Sequence, residues 1–455
     1  MADARRTLRA PSASSERDWL DLARSYSFRA RLDRPHYDGP VFARGEGSVV
    51  WDVEGKEYLD FNSGQLCGVL GHRHPRITQA MEEAAKTLVH SSSTYYNVAE
   101  IALSERLSSI LPPGLSKSFF GLSGSDATEA AINIAKKITG RFEIASPHIS
   151  FHGLGDTPRA VSFAAWHQGM PPTAPGNFAI TAPYCFRCPV KHTFPECDIA
   201  CLSGSLDVLD AETVGPVAGL ITEPLFSAGG VIEPPPGWLA RVQEACRERG
   251  ALLILDESQT GLAKLGTMWG FEHDGVVPDV ITVSKHFGGG IAISAVVTSS
   301  ELEEEAIEKG FSYSHSHSAD PFGCAAALAT IDAIEEEDLV ERARTLGAAW
   351  RARLHQLASE HDAISVVRGR GLLQGIELSA PDGAPALGLG HAVAAEALDR
   401  GLLFSVRRKG SVLRFTPPFS TTEEQLDRAA EILDECLKAA AVGPAALPLA
   451  GALGP

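Results

Sequence analysis

Two residues whose side chains could take part in catalysis, an aspartate and a lysine, lie at the ends of two predicted apolar strands. Asp256 closes the run LLILD at residues 252–256, and Lys285 follows DVITVS at residues 279–284. The carboxyl ends of neighbouring strands in an α/β sheet meet at one edge, where ligands bind. Burial there lowers the pKa of a lysine, and its neutral amine can condense with an aldehyde. The alternative is a structural ion pair between Lys285 and Asp256.

A third segment, SGSDATEAA at residues 123–131, places small residues at a predicted helix start. Ser123, Gly124 and Ser125 offer hydroxyls and backbone N–H groups, and the positive end of the helix dipole favours a phosphate dianion. An ordinary helix cap uses the same residue types. A phosphate site, an aldehyde-binding lysine and a strand-end carboxylate together match the needs of pyridoxal 5'-phosphate, whose ring is an electron sink when its nitrogen is protonated.

Composition limits the class of protein. The chain has 455 residues, 57 acidic and 40 basic, for a net charge of −17, and 44% of its residues are hydrophobic. This predicts a globular protein of about two to four domains. The acidic balance argues against a nucleic-acid or membrane surface, and no apolar run reaches the roughly 18 residues of a membrane span. Because the N-terminus lacks a secretory signal, we expect a cytoplasmic protein.

The pattern of elements indicates the fold. From about residue 75, helical periodicity alternates with short β-branched runs, which predicts a mostly parallel sheet with helices on both faces. A smaller α+β unit should combine both chain ends, including a hairpin that turns at Glu54-Gly55. The predicted division is a disordered start at 1–15, an N-terminal segment of the small domain at 16–74, the large domain at 75–325, a C-terminal small domain at 326–441 and a disordered tail at 442–455.

From roughly Pro40 to Leu437, the chain resembles the class III pyridoxal-phosphate-dependent aminotransferases. The motifs that carry the resemblance are SGS at 123–125, FHG at 151–153, TEP at 222–224, LDESQTGLAKLGTMW at 255–269, SKHFGGG at 284–290 and RFTPP at 414–418. The resemblance implies an α/β fold of fold type I, with a mostly parallel, seven-stranded type of sheet. It also implies a homodimer, or a dimer of dimers, with shared active sites.

The resemblance further implies roles for single residues. Lys285 is expected to be the Schiff-base lysine, Asp256 to pair with the pyridine nitrogen, and Gln259 to reach the phenolic oxygen. Phe151 should stack on the ring. The implied cofactor-binding residues are Ser123, Gly124, Ser125, Phe151, His152, Asp256, Gln259, Lys285 and Ser316 of the partner subunit. Arg414 resembles the family's carboxylate-binding arginine, and Leu154 should lie beside the substrate.

One segment, FNSGQLCGVLGHRHP at 61–75, resembles the 2,2-dialkylglycine decarboxylases, with Gln65 where transaminases tend to have an apolar residue. The bond that breaks at Cα is the one held perpendicular to the cofactor ring. Loss of CO2 therefore requires the carboxylate to be held out of the ring plane. Gln65 can orient it as a neutral donor, without the ground-state ion pair that an arginine would make. Alternatively, Gln65 is a loop residue that satisfies backbone groups.

We therefore expect decarboxylation-dependent transamination of an α,α-disubstituted or related amino acid, with a keto acid such as pyruvate as acceptor. The alternatives are a class III aminotransferase acting on an amino acid or amine without decarboxylation, an amino-acid epimerase, or a non-catalytic cofactor- or metal-binding protein. His286, Ala228 and Leu154 depart from the decarboxylase pattern and border the substrate pocket. The side-chain specificity therefore stays open.

The sequence also suggests two metal sites. By resemblance, Ser93 and Asp320 would bind an alkali cation, K⁺ or Na⁺; alternatively, Asp320 caps the helix that begins near Pro321. The spacing C-x2-C-x8-C-x3-C is typical of a structural zinc site, although a reduced cluster or disulfides fit as well. Its members are Cys185, Cys188, Cys197 and Cys201. We expect the pairs His72/His74 and His315/His317 to lie on the surface or at the edge of the active site.

Overall fold

The computed structural model of the protein describes residues 15–27, 39–164 and 172–442. The helices are α1 Glu16–Tyr26, α2 Ser63–Leu66, α3 Pro75–Thr87, α4 Val98–Ser109, α5 Gly124–Thr139, α6 Asp156–Ala160, α7 Ala200–Glu212, α8 Trp238–Arg249, α9 Ser300–Glu308, α10 Pro321–Glu336, α11 Leu339–Glu360, α12 Leu389–Asp399 and α13 Glu423–Val442. The strands are β1 Phe42–Glu46, β2 Val49–Asp52, β3 Glu57–Asp60, β4 Lys117–Gly121, β5 Ile144–Pro147, β6 Asn177–Ile180, β7 Gly219–Thr222, β8 Leu252–Asp256, β9 Val280–Val283, β10 Ser294–Thr298, β11 Ile364–Arg370, β12 Leu373–Leu378, β13 Leu402–Leu403, β14 Ser405–Arg407 and β15 Val412–Phe415.

In the described part of the chain, the largest sheet has seven strands in the order β4-β10-β9-β8-β7-β5-β6. β10 runs antiparallel to both of its neighbours, and the other pairs are parallel. The predicted mostly parallel sheet of an α/β fold is thus confirmed. Strand β6 was not predicted from the sequence, because this edge strand (NFAI) is short and only its last residue is buried.

The central strands are buried on both faces. In β8, Leu253 and Leu255 belong to the main hydrophobic cluster, while Ile254 packs in a second cluster with the apolar face of α5. Alternate residues of a strand point to opposite faces, so helices on both sides explain the continuous apolar run. This burial fixes the position of Asp256 at the end of β8.

Both chain ends contribute to smaller sheets. Within the described residues, one has the order β1-β2-β3-β13 and joins a C-terminal strand to the N-terminal hairpin, and the other, β11-β12-β15-β14, is antiparallel. The hairpin at Glu54-Gly55 is confirmed, since Asp52 Oδ1 accepts hydrogen bonds from the Glu54 and Lys56 backbones at 3.0 and 2.9 Å.

The domain boundaries stay a prediction, and the one at 325/326 falls inside α10. The disordered ends predicted at 1–15 and 442–455 lie outside the described residues, apart from Ser15, which caps α1, and Val442, which ends α13. Every helix in 15–27, 39–164 and 172–442 is too short or too polar to cross a membrane.

Candidate active site

Asp256 and His152 form a buried pair at the carboxyl edge of the large sheet. His152 Nδ1 lies 2.8 Å from Asp256 Oδ2, and Asp256 Oδ1 accepts a hydrogen bond from the Ser258 backbone at 3.0 Å. Burial alone raises the pKa of Asp256. The hydrogen bond and charge of His152, together with the charge of Lys285, outweigh that effect and hold the pKa below its ordinary value. Asp256 is therefore ionised at neutral pH.

Lys285 begins a short 3₁₀ helix, Lys285–Gly288, directly after β9. Its backbone has φ of +48°, in the left-handed region, and its side chain is half-buried. Burial lowers the pKa of Lys285, an effect that the negative charge of Asp256 opposes. The alternative ion pair with Asp256 is not formed, because the Asp256 carboxylate contacts His152 and Ser258 instead. The amine is thus biased toward the neutral, nucleophilic form.

The Ser123–Ser125 loop lies next to the lysine. Ser123 caps α5, and in the described part of the chain the N–H groups of Gly124 and Ser125 donate to no acceptor. A Cβ atom on Gly124 would lie only 2.9 Å from Ser284 Oγ, so a larger residue would fit at this close approach to the residue before Lys285 only if that hydroxyl moved. Two free N–H groups at a helix N-terminus form a site for a phosphate.

Gln65 lies in a left-handed turn. Ser63, Gly64, Gln65 and Leu66 have φ of 46°, 53°, 67° and 66°. Asp60 stabilises the turn by accepting a hydrogen bond from the Gly64 backbone at 2.7 Å. The turn contacts the 3₁₀ helix of Lys285, and His286 Nδ1 lies 3.2 Å from the Leu66 carbonyl. Because burial lowers the pKa of His286 to about 3, its ring is neutral and donates this hydrogen bond.

Arg414 is 1% exposed and lies on β15, with its guanidinium held in place by three side chains. Its Nε donates to Ser405 Oγ at 2.9 Å, and its Nη1 donates to Ser227 Oγ at 3.0 Å and to Gln259 Oε1 at 2.9 Å. The structure thereby joins two predicted site residues, Arg414 and Gln259. A guanidinium fixed in this way can bind a carboxylate without losing rotamer freedom on binding.

Glu223, in the TEP motif at 222–224, is a site residue that was not predicted from the sequence. Glu223 follows β7 at the same sheet edge and is 2% exposed. It accepts hydrogen bonds from the backbones of Phe151 at 3.2 Å and Ser227 at 3.1 Å. Burial raises the pKa of Glu223 to about 7, helped by the charge of Asp256. Glu223 therefore connects Phe151 to the residue that holds Arg414, and its position after a buried strand was the available signal.

The family model for class III aminotransferases matches residues 34–437, most of the chain. The chain belongs to the class III aminotransferases. An acetylornithine aminotransferase of Methanothermobacter thermautotrophicus is 37% identical over 414 residues, 91% of this chain and 97% of that protein. An uncharacterized aminotransferase of Schizosaccharomyces pombe is 36% identical over 403 residues, 87% of this chain and 90% of that protein.

Solved structures agree with this class III assignment. The structure of a thermostable (S)-enantioselective omega-transaminase from Thermomicrobium roseum matches with a TM-score of 0.88 at 27% identity, and covers 94% of this chain and 100% of that chain. The predicted fold type I architecture is thereby confirmed.

Class III aminotransferases use pyridoxal 5'-phosphate, and the residues of this chain fit it. The free N–H groups of Gly124 and Ser125 suit the phosphate, Lys285 suits the aldehyde, and the ionised Asp256 suits a protonated pyridine nitrogen. Phe151 is half-buried beside this edge, whereas Leu154 is 42% exposed.

The alkali-cation site expected at Ser93 and Asp320 stays a prediction. Ser93 is exposed, and both oxygens of Asp320 are in contact with imidazoles. Asp320 is at the N-cap position of α10, but its side chain makes no capping hydrogen bond. The alternative that its side chain caps this helix is therefore wrong. Ser316 is exposed in the segment before α10, and its contact with a partner subunit stays a prediction.

The four cysteines of the cysteine loop, residues 185–201, are all free thiols. They are near enough to raise one another's pKa: burial first, and then the neighbouring thiols, raise the pKa of Cys201 to about 11. Nevertheless, no three of their sulfurs lie within 4.8 Å of one another in the described residues. The structural zinc site is therefore not preformed, and it stays a prediction.

Proposed function

We propose that this class III aminotransferase catalyses decarboxylation-dependent transamination. The amino donor would be an α,α-disubstituted or related amino acid, and the acceptor a keto acid such as pyruvate. For 2-aminoisobutyrate, the balanced reaction is 2-aminoisobutyrate plus pyruvate giving acetone, CO2 and alanine. The cofactor supplies an aldehyde that accepts the amino group and a ring that accepts the electron pair left at Cα.

The position of the Gln65 turn carries this proposal. The turn packs against the 3₁₀ helix that begins with Lys285, and the His286–Leu66 hydrogen bond fixes one to the other. The Gln65 side chain is exposed and takes part in no hydrogen bond within the described ranges, which disfavours the alternative that it satisfies backbone groups. A neutral amide available beside the lysine can hold the donor's carboxylate out of the ring plane.

The other residues bind, orient and move protons. We assign the phosphate to Ser123, Gly124, Ser125 and Ser316 of the partner subunit, which makes the active unit a homodimer. Asp256, oriented by His152, would keep the ring nitrogen protonated, and Gln259 would be the partner of the phenolic oxygen. Lys285 Nζ would deliver a proton to the cofactor rather than to Cα, so that the donor would leave as a ketone and its amino group would stay with the cofactor for transfer to the keto acid.

Arg414 is assigned to the carboxylate of the keto acid in the second half of the reaction. Its three hydrogen bonds to Ser405, Ser227 and Gln259 keep the guanidinium in one orientation before substrate arrives. A bidentate ion pair suits this step, because the acceptor's carboxylate must be retained rather than lost.

A second candidate function is transamination without loss of CO2. The acetylornithine aminotransferase at 37% identity favours it, since its name describes amino transfer alone. In this case Gln65 contacts no reacting carboxylate, and amino acids with an α-hydrogen are the donors.

The deciding experiment supplies the purified enzyme with carboxyl-labelled 2-aminoisobutyrate and pyruvate. Labelled CO2 released together with an equal amount of alanine supports decarboxylation-dependent transamination. Alanine formed only from monosubstituted donors, without CO2, contradicts it and supports the second candidate. A Gln65→Val variant should lose decarboxylation, whereas Gln356→Val, at an exposed helical glutamine, is the matched control and should retain it. Full decarboxylation by Gln65→Val would remove the assignment of Gln65.

A further inference from the structure

Three side chains that take no part in the proposed reaction converge on one point. His90 lies between α3 and α4, whereas His317 and Asp320 lie just before α10. His90 Nδ1 is 2.6 Å from Asp320 Oδ1, and His317 Nδ1 is 2.5 Å from Asp320 Oδ2. Among the described residues, this is the one group of three or more His, Cys, Asp or Glu side chains whose ligand atoms all lie within 4.8 Å of one another.

In the single chain, ions can reach the cluster from solvent. The side chains of His90 and His317 are 49% and 56% exposed, whereas that of Asp320 is 14% exposed. The two imidazole rings lie 4.9 Å apart, at an angle of 53°. The carboxylate therefore lies beneath two accessible rings, both of which direct Nδ1 toward it.

We propose that His90, His317 and Asp320 bind a divalent cation of the Zn²⁺ class. Two nitrogens and one carboxylate oxygen form a three-ligand set that leaves a fourth position for water. An ionised carboxylate only accepts hydrogen bonds, so both Nδ1 atoms carry protons in the metal-free arrangement. When the cation binds, each ring carries its proton on Nε2 instead, by exchange with solvent, and the ligand atoms then separate slightly to reach metal–ligand distances of about 2.0–2.2 Å.

The ligand chemistry distinguishes this proposal from an alkali-cation site. K⁺ and Na⁺ prefer shells of oxygen atoms, whereas imidazole nitrogen suits Zn²⁺, Co²⁺ and Ni²⁺. Both carboxylate oxygens of Asp320 are in contact with nitrogen. A bound divalent cation would also cross-link two segments that are 230 residues apart in sequence, since it joins His90 to Asp320. One segment connects α3 to α4 and the other precedes α10, which packs on α3 and α4.

The test is calorimetric titration of the metal-free holoenzyme with ZnCl2. We expect one Zn²⁺ per chain outside the cysteine loop, and at least about 100-fold weaker binding in His90→Ala, His317→Ala and Asp320→Asn, because even outer-shell partners of a metal ligand are typically worth 10- to 100-fold. His355→Ala, at an exposed histidine on α11, is the matched control and should bind Zn²⁺ like the wild type. Coenzyme absorbance and circular dichroism check that each variant is folded, and a glutamine at the same position replaces a histidine-to-alanine variant that is not.

Binding by the cysteine loop is separated in two ways. The titration is repeated in a Cys185→Ser/Cys197→Ser variant, in which the site at His90 should remain. Co²⁺ is also bound in place of Zn²⁺, because thiolate ligands give intense charge-transfer absorption and a nitrogen–oxygen site does not. The proposal is overturned if no Zn²⁺ binds outside the cysteine loop, if the His90, His317 and Asp320 variants bind like the control, or if K⁺ binds at this cluster and Zn²⁺ does not.

Discussion

The imidazole of His152 and the carboxylate of Asp256 meet at 2.8 Å in the buried end of the large sheet. His152 reaches this position from the segment after β5, where its backbone N–H donates to Ser162 Oγ at 2.8 Å and its carbonyl accepts from Thr128 Oγ1 at 2.9 Å. Its ring thus holds the carboxylate from the side, while the hydrogen bond keeps the pKa of Asp256 low despite burial. An ionised, oriented carboxylate is what a protonated pyridine nitrogen needs.

Replacing Asp256 with asparagine should separate cofactor capture from catalysis. The neutral amide cannot keep the ring nitrogen protonated, so we expect kcat to fall by at least about 100-fold while the coenzyme is still captured by Lys285. Steady-state kinetics and coenzyme absorbance measure the two effects. Asp279→Asn changes a carboxylate that bonds to the Leu253 backbone and should leave kcat nearly unchanged. Undiminished kcat in Asp256→Asn would contradict this role.

Arg414→Lys should impair use of the keto acid more than use of the amino donor. An ammonium group cannot reproduce a bidentate guanidinium contact, so we expect kcat/KM for pyruvate to fall by about 10- to 100-fold. Half-reaction kinetics measure the donor and acceptor steps separately. Arg428→Lys, at an exposed arginine on α13, is the control. Equal losses in both half-reactions would argue against acceptor binding by Arg414.

The left-handed turn makes a prediction about stability. Gln65 has φ of +67°, a conformation that costs a residue with a Cβ atom about 1–2 kcal/mol and glycine little. Gln65→Gly should therefore raise the free energy of unfolding by up to about 1 kcal/mol, after the entropic cost of glycine, while decarboxylation is lost. Chemical denaturation measures the stability. Gln356→Gly, inside α11, should instead lower it by about 1 kcal/mol. A destabilised Gln65→Gly variant would contradict the account of the turn.

The raised pKa of Glu223 should make the free energy of unfolding depend on pH. Because burial raises its pKa in the folded protein to about 7, the folded state holds a proton that the unfolded state releases near its ordinary value of 4.5. This contribution is complete below pH 4.5 and is lost as the pH rises to about 7, and it amounts to about 3 kcal/mol. Glu223→Gln should reduce that slope in the apoprotein, measured by denaturation at several pH values, while buried Glu257, whose pKa burial also raises to about 7, still contributes. An unchanged slope would show that Glu223 is not the titrating group.

The edge of the large sheet could be predicted well, because burial patterns are local. The runs before Asp256 and Lys285 are apolar and contiguous, so the amino-acid sequence alone places their carboxyl ends at one edge. The capping box of α13 is equally local, and Thr422 and Gln425 form both of its hydrogen bonds.

What escaped prediction depends on non-local contacts or on backbone conformation. Only Gly64 marks the left-handed turn in sequence, while its neighbours adopt positive φ because Asp60 and His286 hold the turn from outside. Likewise, nothing in the sequence brings His90 to Asp320. The contact follows from the packing of α10 on α3 and α4.

Trapping the coenzyme on the protein tests the role of Lys285 directly. The enzyme is saturated with pyridoxal 5'-phosphate, reduced with borohydride and digested, and the labelled peptide is sequenced. We predict one label per chain, on Nζ of Lys285, and none in Lys285→Ala treated in the same way. A label on another lysine, or no label on the wild-type protein, would contradict the central claim that this amine binds the cofactor.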